Sequence, residues 1–340
     1  MGFLKHFLRR VLISIVSIFG IIIITFILSR ALPGDPVWYR LPEKATLQDY
    51  YAEKARLGLD KPVIYQLFVF MSDLLSGNWG FSYVIAQDAN VWYLISLFLP
   101  RTLEIMFISM FFAILLGITL GKISARKKDT FWDYIIRIFT YFILSIPGFV
   151  IIIFFVLLFV NTPFKIFPLF GYKTLYYPDP TYITGFPILD SLFTGQFDLF
   201  LDLVWHLILP ILTMIIVQMV AIIRQTRSSI LEILQKDYIR TAKAKGCSDK
   251  NILNKHVLKN AVPPIITISA MGFPIVMGGM IGVEVAYHYV GIGFIFRDSI
   301  LYRDYSVFIA IIFLLSLIVI IFNFITDLLI EFLDPRLRFK

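Results

Sequence analysis

Long apolar stretches alternate with shorter polar segments along the whole chain. The apolar stretches cover residues 11–30, 103–121, 135–160, 207–223, 265–283 and 307–332. The hydrocarbon core of a bilayer is about 30 Å thick, so a spanning helix needs roughly 20 apolar residues. Each stretch meets or approaches that length. The pattern therefore predicts an all-α membrane protein with six transmembrane helices.

The first apolar stretch has two interpretations. Lys5, Arg9 and Arg10 precede it, as basic residues precede the apolar part of a signal peptide. The stretch is too long for a typical signal peptide, however, and the segment 30–33 that follows offers no small-residue cleavage site. We therefore expect an uncleaved anchor, with residues 1–30 forming an N-terminal cytoplasmic end and the first transmembrane helix.

Composition supports a membrane protein and argues against a nucleic-acid-binding one. Hydrophobic residues make up 59% of the chain and charged residues 16%, whereas soluble domains are near half apolar and a quarter charged. The net charge of +8 comes from basic residues in short segments beside the apolar stretches, and no basic fold motif is present. We expect membrane lipid around the chain and no nucleic acid partner. The single cysteine, Cys247, excludes an internal disulfide.

The positions of lysine and arginine predict the orientation. They cluster before the first stretch, between the second and third, between the fourth and fifth, and after the sixth. These residues are Lys5, Arg9, Arg10, Lys122, Arg126, Lys127, Lys128, Arg224, Arg227, Lys236, Arg240, Lys243, Lys245, Lys250, Lys255, Lys259, Arg336, Arg338 and Lys340. In a six-span chain these segments share one side, which the positive-inside rule assigns to the cytoplasm together with both termini.

This orientation divides the rest of the chain. Residues 31–102 form an extracytoplasmic insertion after the first helix, and residues 161–206 form an extracytoplasmic loop that we expect to fold against the membrane domain. Residues 103–340 then make a five-helix core. The core carries a cytoplasmic loop over 224–264 that is unusually well patterned.

That cytoplasmic loop is predicted to contain two helices separated by a glycine. Gly246 lies where a C-terminal glycine would stop the first helix, and Ser248 and Asp249 follow as candidate N-caps of the second. Pro263 and Pro264 are expected to break the chain before the next span. Apolar positions at helical spacing are Ile230, Leu231, Leu234, Tyr238, Thr241 and Ala242, then Ile252, Leu253, Val257, Leu258 and Ala261. A loop of this kind is typical of a docking element for a cytoplasmic partner.

Polar side chains inside the spans are costly, which makes them candidates for function. Gln218, Glu284 and Asn323 are candidates to line a translocation pathway, and Asp327 is a weaker one because it lies near the cytoplasmic end. The alternative is that they bridge neighbouring helices. Both interpretations stay open at this point.

Small residues and prolines predict close packing and kinks. Faces of small residues let transmembrane helices approach each other closely. Pro147 and Pro274 should kink the third and fifth spans. The small faces consist of Gly117 and Gly121 in one span and of Gly278, Gly279 and Gly282 in another.

No catalytic constellation is recognisable in the sequence. The four histidines lack metal-ligand spacing, and neither H-E-x-x-H nor G-x-S-x-G occurs. Gly121-Lys122 resembles the end of a phosphate-binding loop, but the earlier glycine is misplaced and no Ser or Thr follows. We expect a non-catalytic chain without catalytic residues, without a metal site and without ATP of its own.

The cytoplasmic loop resembles that of binding-protein-dependent ABC importer permeases. Its run from Tyr238 to Gly246 is followed by Asn260-Ala-Val-Pro-Pro264, and Ala242, Ala244 and Gly246 occupy the family's alanine and glycine positions. The glutamate that begins the motif in many members is absent, a departure shared by the peptide branch. Further segments similar to the dipeptide/oligopeptide branch are 32–36, 57–62, 75–82, 99–103, 291–293, 303–305 and 333–337.

The resemblance implies a specific fold and set of partners. It implies the type I ABC importer permease fold and the first permease of a pair, with a second homologous permease, an extracytoplasmic substrate-binding protein and two ATPase subunits that bind ATP and Mg. It also implies that the loop inserts into one ATPase as a coupling helix. The implied coupling residues are Arg240, Thr241, Ala242, Lys243, Ala244, Lys245 and Gly246.

The resemblance leaves the cargo open. Peptides are expected, and importers of oligosaccharides or nickel chelates are the nearest alternative. An ATP-independent channel or secondary transporter is a further alternative, supported by the polar residues within the spans. A membrane enzyme is disfavoured because acid–base and metal-binding groups are missing.

Overall fold

The computed structural model describes residues 2–31, 35, 37–42, 44–160 and 166–333. In this part of the chain the regular structure is helical, apart from a single β-bridge between Phe81 and Asn90. The helices are α1 (Gly2–Ala31), α2 (Leu47–Arg56), α3 (Val63–Ser76), α4 (Val91–Arg126), α5 (Phe131–Ser145), α6 (Gly148–Val160), α7 (Pro187–Phe193), α8 (Phe197–Leu234), α9 (Asp237–Ala244), α10 (Asp249–Asn251), α11 (Leu258–Met271), α12 (Phe273–Ala286), α13 (Ile292–Leu301) and α14 (Tyr305–Leu333). A 3₁₀ turn covers Trp38–Arg40, and a π-helix, Ile252–Val257, joins α10 to α11.

Two family-like segments fall mostly outside the described residues. Of the segment 32–36 only Asp35 is described, and of 333–337 only Leu333. The basic residues of the C-terminal tail, Arg336, Arg338 and Lys340, also lie outside the described residues.

The described helices supply between four and six spans. Four are continuous, at Phe7–Ala31, Val91–Arg126, Phe197–Leu234 and Tyr305–Glu331. Two are bent pairs, α5 with α6 at 102° and the segment Asp249–Met271 with α12 at 43°. Counting each bent pair as one span gives six.

Both predicted kinks occur. Ile146, before Pro147, is extended with φ −100° and ψ 125°, because a proline ring excludes the helical conformation from the residue before it. Pro274 occupies the first turn of α12, directly after the break at Gly272, where its missing N–H leaves no helical hydrogen bond unmade.

Two of the spanning helices extend well beyond their apolar stretches. α4 begins at Val91 instead of near residue 103, since the Asn90 side chain accepts a hydrogen bond from the N–H of Trp92 at 2.8 Å and caps the helix. α8 covers 38 residues, about 57 Å at 1.5 Å per residue. Hydropathy therefore marks the part of a helix that lies in lipid and not the whole helix.

Pro263 and Pro264 do not break the chain, so that prediction was wrong. Both lie inside α11, which starts at Leu258. Each removes one helical hydrogen bond, which leaves the carbonyl oxygens of Lys259 and Asn260 without their usual donors. Both of those residues are exposed, so water can satisfy the two carbonyls and the helix continues.

The two small-residue faces differ in how closely they pack against neighbouring helices. A Cβ atom added to Gly117 would lie 2.7 Å from Cβ of Ile222, and one added to Gly121 would lie 2.6 Å from Cβ of Thr226. At these two glycines the backbone of α4 therefore contacts side chains of α8. In the second face, a Cβ on Gly282 would lie 3.4 Å from Cδ1 of Ile152 in α6, and one on Gly279 would lie 3.8 Å from Cε of Met214 in α8, which are ordinary contacts. A Cβ on Gly278 would meet no described atom within 4 Å, so close packing is absent at that position.

The first and last helices pack together beside this core. Arg10 of α1 forms an ion pair with Asp327 of α14, and the Phe7 and Phe324 rings meet edge to face with centroids 5.9 Å apart. Ile22 is buried in a cluster with Phe313 of α14 and Leu74 of α3. α1 is thereby held against the rest of the bundle near both of its ends.

Candidate coupling site

α9 begins a new helix after a break in the backbone. α8 ends at Leu234, and Lys236 is extended with φ −72° and ψ 145° before α9 starts at Asp237. The break resets the helical phase, so the predicted apolar positions Tyr238 and Thr241 are wrong, whereas Ala242 is correct. Tyr238 is 47% exposed, Thr241 is exposed, and Ile239 is the fully buried residue.

Ile239 anchors α9 to the helical bundle. It belongs to one apolar cluster with Ile230 and Ile233 of α8 and with Ile252 and Val257 of the π-helix. Ala242, half-buried one turn later, packs against the same cluster. α9 is therefore attached along one narrow face and is otherwise free to contact a partner.

Gly246 ends α9 in the left-handed conformation, as the sequence predicts. Its φ is +78°. The N–H of Cys247 donates to the carbonyl of Ala242 at 3.2 Å, and the N–H of Gly246 donates to the carbonyl of Lys243 at 3.0 Å. These two bonds form a Schellman motif, which satisfies carbonyls left over at the helix end.

The outward surface of α9 is small and basic. Arg240, Lys243, Ala244 and Lys245 are exposed together with Thr241. The ion pair between Arg240 and Asp237, at 3.4 Å, is also exposed and contributes little to stability. Two cationic side chains therefore flank a methyl-sized residue, a surface that fits a close and acidic groove.

The second half of the loop returns the chain to the bundle as predicted. The Ser248 side chain accepts a hydrogen bond from the N–H of Asn251 at 3.4 Å and caps α10. Lys122 Nζ of α4 donates to Asn254 Oδ1 at 2.7 Å. The predicted apolar positions Ile252, Leu253, Val257 and Ala261 are buried. The loop is thus fixed to α4 as well as to α8.

A buried ion pair fixes the neighbouring helices. The Arg227 guanidinium of α8 donates to both carboxylate oxygens of Asp133 in α5, at 2.9 and 2.8 Å. Asp133 is fully buried and also accepts from the Ser124 hydroxyl and from the N–H of Asp129. Sequence analysis missed this pair because it used Arg227 only as an orientation signal. A carboxylate at the start of an apolar stretch is the signal that could have identified it.

The three pathway candidates occupy different surroundings. Gln218 is half-buried, and its Nε2 donates to Ser109 Oγ at 3.2 Å, which bridges α8 and α4. Asn323 is exposed on α14. Glu284 is fully buried and bridges helices. A role in lining the pathway stays a prediction for Gln218 and Asn323, whereas in this conformation Glu284 lies within the packed chain.

Glu284 joins two of the family-like segments at the end of the bundle opposite α9. Its Oε1 accepts from the Thr102 hydroxyl at 2.5 Å, and its Oε2 accepts from the N–H of Phe294 at 2.9 Å. The Thr102 hydroxyl oxygen in turn accepts from the N–H of Ile292 at 2.8 Å. A Cβ at Gly291 would lie 2.5 Å from Glu284 Oε1, so only glycine fits beside this carboxylate. Segments 99–103 and 291–293 are thus linked by one hydrogen-bonded network, which we call a polar joint.

A second pair of family-like segments meets at Asp304. Its Oδ2 accepts from the Ser82 hydroxyl at 2.6 Å and from the N–H groups of residues 83–85 at 3.1, 3.2 and 3.3 Å. Segment 303–305 therefore holds the end of the insertion, where segment 75–82 lies.

The described residues of the loop 161–206, the proposed outer loop, are also folded against the core, as expected. The Arg101 guanidinium stacks over the Tyr172 ring at 3.9 Å and donates to the Tyr182 hydroxyl at 3.1 Å. Burial alone would raise the pKa of Asp190 in α7. Hydrogen bonds from the Thr184 hydroxyl and from the N–H groups of Thr184 and Gly185 outweigh that effect and lower it. The carboxylate is therefore held ionised, and its hydrogen bonds stabilise the conformation of this loop.

Comparison with protein families agrees with this architecture. Residues 113–339 match the binding-protein-dependent transport system inner membrane component family, and residues 3–106 match the N-terminal model of the same kind of membrane component. The chain belongs to this family. It is therefore a multi-pass inner-membrane component of a transport system.

Several relatives match this chain over nearly its whole length. It is 34% identical to the di/tripeptide transport system permease protein DppB of Pseudomonas aeruginosa, covering 98% of this chain and 99% of that one. It is 33% identical to the oligopeptide permease AppB of Bacillus subtilis, with 98% and 99% covered. It is 31% identical to the dipeptide permease DppB of Escherichia coli K12, with 99% of each covered.

A solved transporter shows the fold. The MetNI methionine ABC transporter, in an inward-facing conformation, contains a chain that aligns with a TM-score of 0.51 at 18% identity. The match covers 71% of this chain and 97% of the other. The ABC importer permease fold expected from the resemblance is thereby confirmed.

Proposed function

We propose that this chain is the permease subunit of an ATP-driven importer of dipeptides or oligopeptides, and that α9 is its coupling helix. The observation that carries the coupling role is the build of α9. One buried side chain, Ile239, anchors it, Gly246 stops it, and its remaining surface is basic and exposed. Peptide cargo is supported by the names of relatives from three bacteria.

The proposed assembly contains a second homologous permease, two ATPase subunits that bind ATP and Mg, and an extracytoplasmic substrate-binding protein. In this assembly the chain supplies no catalytic group. Closure of the ATPases would displace α9, and Ile239 would transmit the movement to α8 and the π-helix. Because packed helices move between discrete arrangements, a small shift at α9 can reorient whole spans.

The coupling role is tested by filling the exposed surface of α9. Ala244→Trp adds a bulky side chain at an exposed position, so the chain should fold normally while docking is obstructed. We expect uptake of labelled peptide by the reconstituted importer to fall at least about tenfold, equivalent to about 1.4 kcal/mol of lost docking. Substrate-stimulated ATP hydrolysis should fall with it.

The matched control is Lys128→Trp, which places the same side chain at an exposed position in the other cytoplasmic connection. It should leave uptake within a factor of two of the unsubstituted chain. Full uptake by the Ala244→Trp importer, measured at equal complex abundance, would contradict the coupling role.

Cargo is tested separately from coupling. The co-expressed binding protein should purify with peptides that mass spectrometry identifies after denaturation. A binding protein loaded with oligosaccharide or a nickel chelate would refute peptide cargo and leave the coupling proposal intact.

A further inference from the structure

A groove between α5 and α8 contains two arginines that form no ion pair with the described residues. Its volume is about 490 Å³, and Arg137 and Arg224 line it with Arg227. Arg227 is neutralised by Asp133. Within the described part of the chain neither Arg137 nor Arg224 has an ion-pair partner, and the only ring beside Arg137 is that of Tyr134, at 5.8 Å. The acidic residue of the lining, Glu232, pairs with Lys236 at 3.1 Å.

The two arginines lie about one helical turn from the buried ion pair. Arg137 follows Asp133 by one helical turn on α5, and Arg224 precedes Arg227 by nearly one turn on α8. The two helices run in opposite directions, so both arginines lie about 4.5–6 Å farther into the membrane than the ion pair. The Asp133–Arg227 pair is neutral overall, whereas Arg137 and Arg224 together carry two positive charges.

Exposed aromatic residues locate the Asp133–Arg227 ion pair in the bilayer. Trp132 is 53% exposed and Tyr134 is 50% exposed at the start of α5. Aromatic side chains of this kind concentrate at the interface between headgroups and hydrocarbon. Both residues flank Asp133, so the ion pair lies at this interface and the two arginines lie about 4.5–6 Å on its hydrocarbon side. From there their long side chains can extend outward to the lipid phosphates. Two guanidiniums there need an anion, since an unpaired charge near hydrocarbon is costly.

We infer that this groove binds the phosphate of an anionic phospholipid of the inner leaflet. A guanidinium presents paired N–H donors that match phosphate oxygens. Ser228 and Tyr141, which also line the groove, add hydroxyl groups for the remaining headgroup oxygens. Basic pockets between spans on the cytoplasmic side are a recurrent way to bind such headgroups. The leaflet rests on the proposed orientation, whereas the phosphate chemistry does not.

Lipid retention by the purified importer tests the site. The complex is purified, exchanged into detergent with either phosphatidylglycerol or phosphatidylcholine, and weighed by native mass spectrometry. Each basic residue near a membrane surface contributes about 1 kcal/mol, so Arg137→Gln or Arg224→Gln should weaken phosphatidylglycerol binding about fivefold and the double variant about thirtyfold. Phosphatidylcholine retention should change by less than a factor of two.

Three controls separate the site from general charge and from folding. Arg126→Gln removes an exposed charge on the same side outside the groove and should keep the lipid. Replacing both arginines by lysine should retain most of it. Ser228→Trp should block the groove without changing charge, because Ser228 is exposed.

Two results would overturn the inference. One is phosphatidylglycerol retention in the double glutamine variant equal to that of the unsubstituted complex. The other is loss of the second permease from that variant, which would identify the counter-ion as a partner's carboxylate. Ala244→Trp should retain the lipid, so a failed coupling proposal and a failed lipid site give different results.

Discussion

Gly246 acts through its backbone conformation and not through lack of space. A Cβ atom added there would meet no atom within 4 Å, but the backbone has φ +78°. A residue with a side chain pays about 1–2 kcal/mol in this conformation. The sequence predicts this role correctly because a stop after a run of helix-forming residues is a local property. No contact with residues distant in the sequence is needed to specify the helix end.

We expect Gly246→Ala to destabilise the end of α9 by about 1–2 kcal/mol for that reason. Amide hydrogen exchange over residues 237–247 of the purified chain should accelerate by a factor of about 5–30. Gly246→Asn should cost less, since asparagine visits the left-handed region more readily.

Gly20→Ala is the matched control. Gly20 lies inside α1 with no atom within 4 Å of an added Cβ, and its φ is not left-handed. Alanine there should stabilise the helix by about 0.5–1 kcal/mol. If both substitutions changed the midpoint of thermal unfolding equally, the left-handed conformation at Gly246 would not be the cause of the effect there.

Ile239 marks the limit of prediction at the residue scale. Its burial depends on the extended backbone at Lys236, which shifts the phase of α9 relative to α8. A periodicity that runs through the break selects Tyr238 and Thr241 instead. Periodicity locates a buried face only within one uninterrupted helix.

At the scale of elements, α4 and α8 are joined where glycine lets them touch. A Cβ on Gly121 would lie 2.8 Å from the carbonyl oxygen of Ile223, which is backbone and cannot rotate away. We expect Gly121→Ala to push the helices apart and to cost about 1–3 kcal/mol. Thermal unfolding of the purified chain in detergent should show a lower midpoint.

Gly278→Ala is the comparison within the same kind of helix. It lies in α12 with open space around it, so the unfolding midpoint should stay the same or rise slightly. A midpoint for Gly121→Ala that matches the one for Gly278→Ala would refute the close contact.

The sequence identifies the spans better than it identifies their ends. Apolar length predicts six spans, and Pro147 and Pro274 correctly predict the bends. The start of α4 at Val91 depends on the Asn90 cap, and the passage of α11 through Pro263 depends on exposed carbonyls. Caps and solvent access at helix ends are tertiary details that hydropathy does not record.

At the scale of the whole molecule, polar joints connect the helices at both membrane faces. Those at the end opposite α9, the outer joints of the proposed orientation, centre on Glu284 and Asp304. Those at the α9 end, the inner joints, are the pairs Asp133–Arg227 and Lys122–Asn254. Four of the segments that resemble the peptide branch meet in the two outer joints. A single sequence gives the segments but not their pairing, because the partners in each outer joint lie about 180 to 220 residues apart.

The proposed orientation follows from charge alone, and Cys247 offers a direct test of it. It is the chain's single cysteine and lies exposed beside Gly246. In membranes from cells that express the chain without ATPase subunits, a membrane-impermeant maleimide should label Cys247 in inside-out vesicles and leave it unlabelled in right-side-out ones. In a Cys247→Ser background, Leu175→Cys places a thiol at a residue 97% exposed in the outer loop, and its labelling should show the opposite pattern. Co-expression of the ATPase subunits should then protect Cys247 but not residue 175, because only the loop that ends α9 is proposed to dock. Labelling of both thiols from the same side would refute the six-span topology.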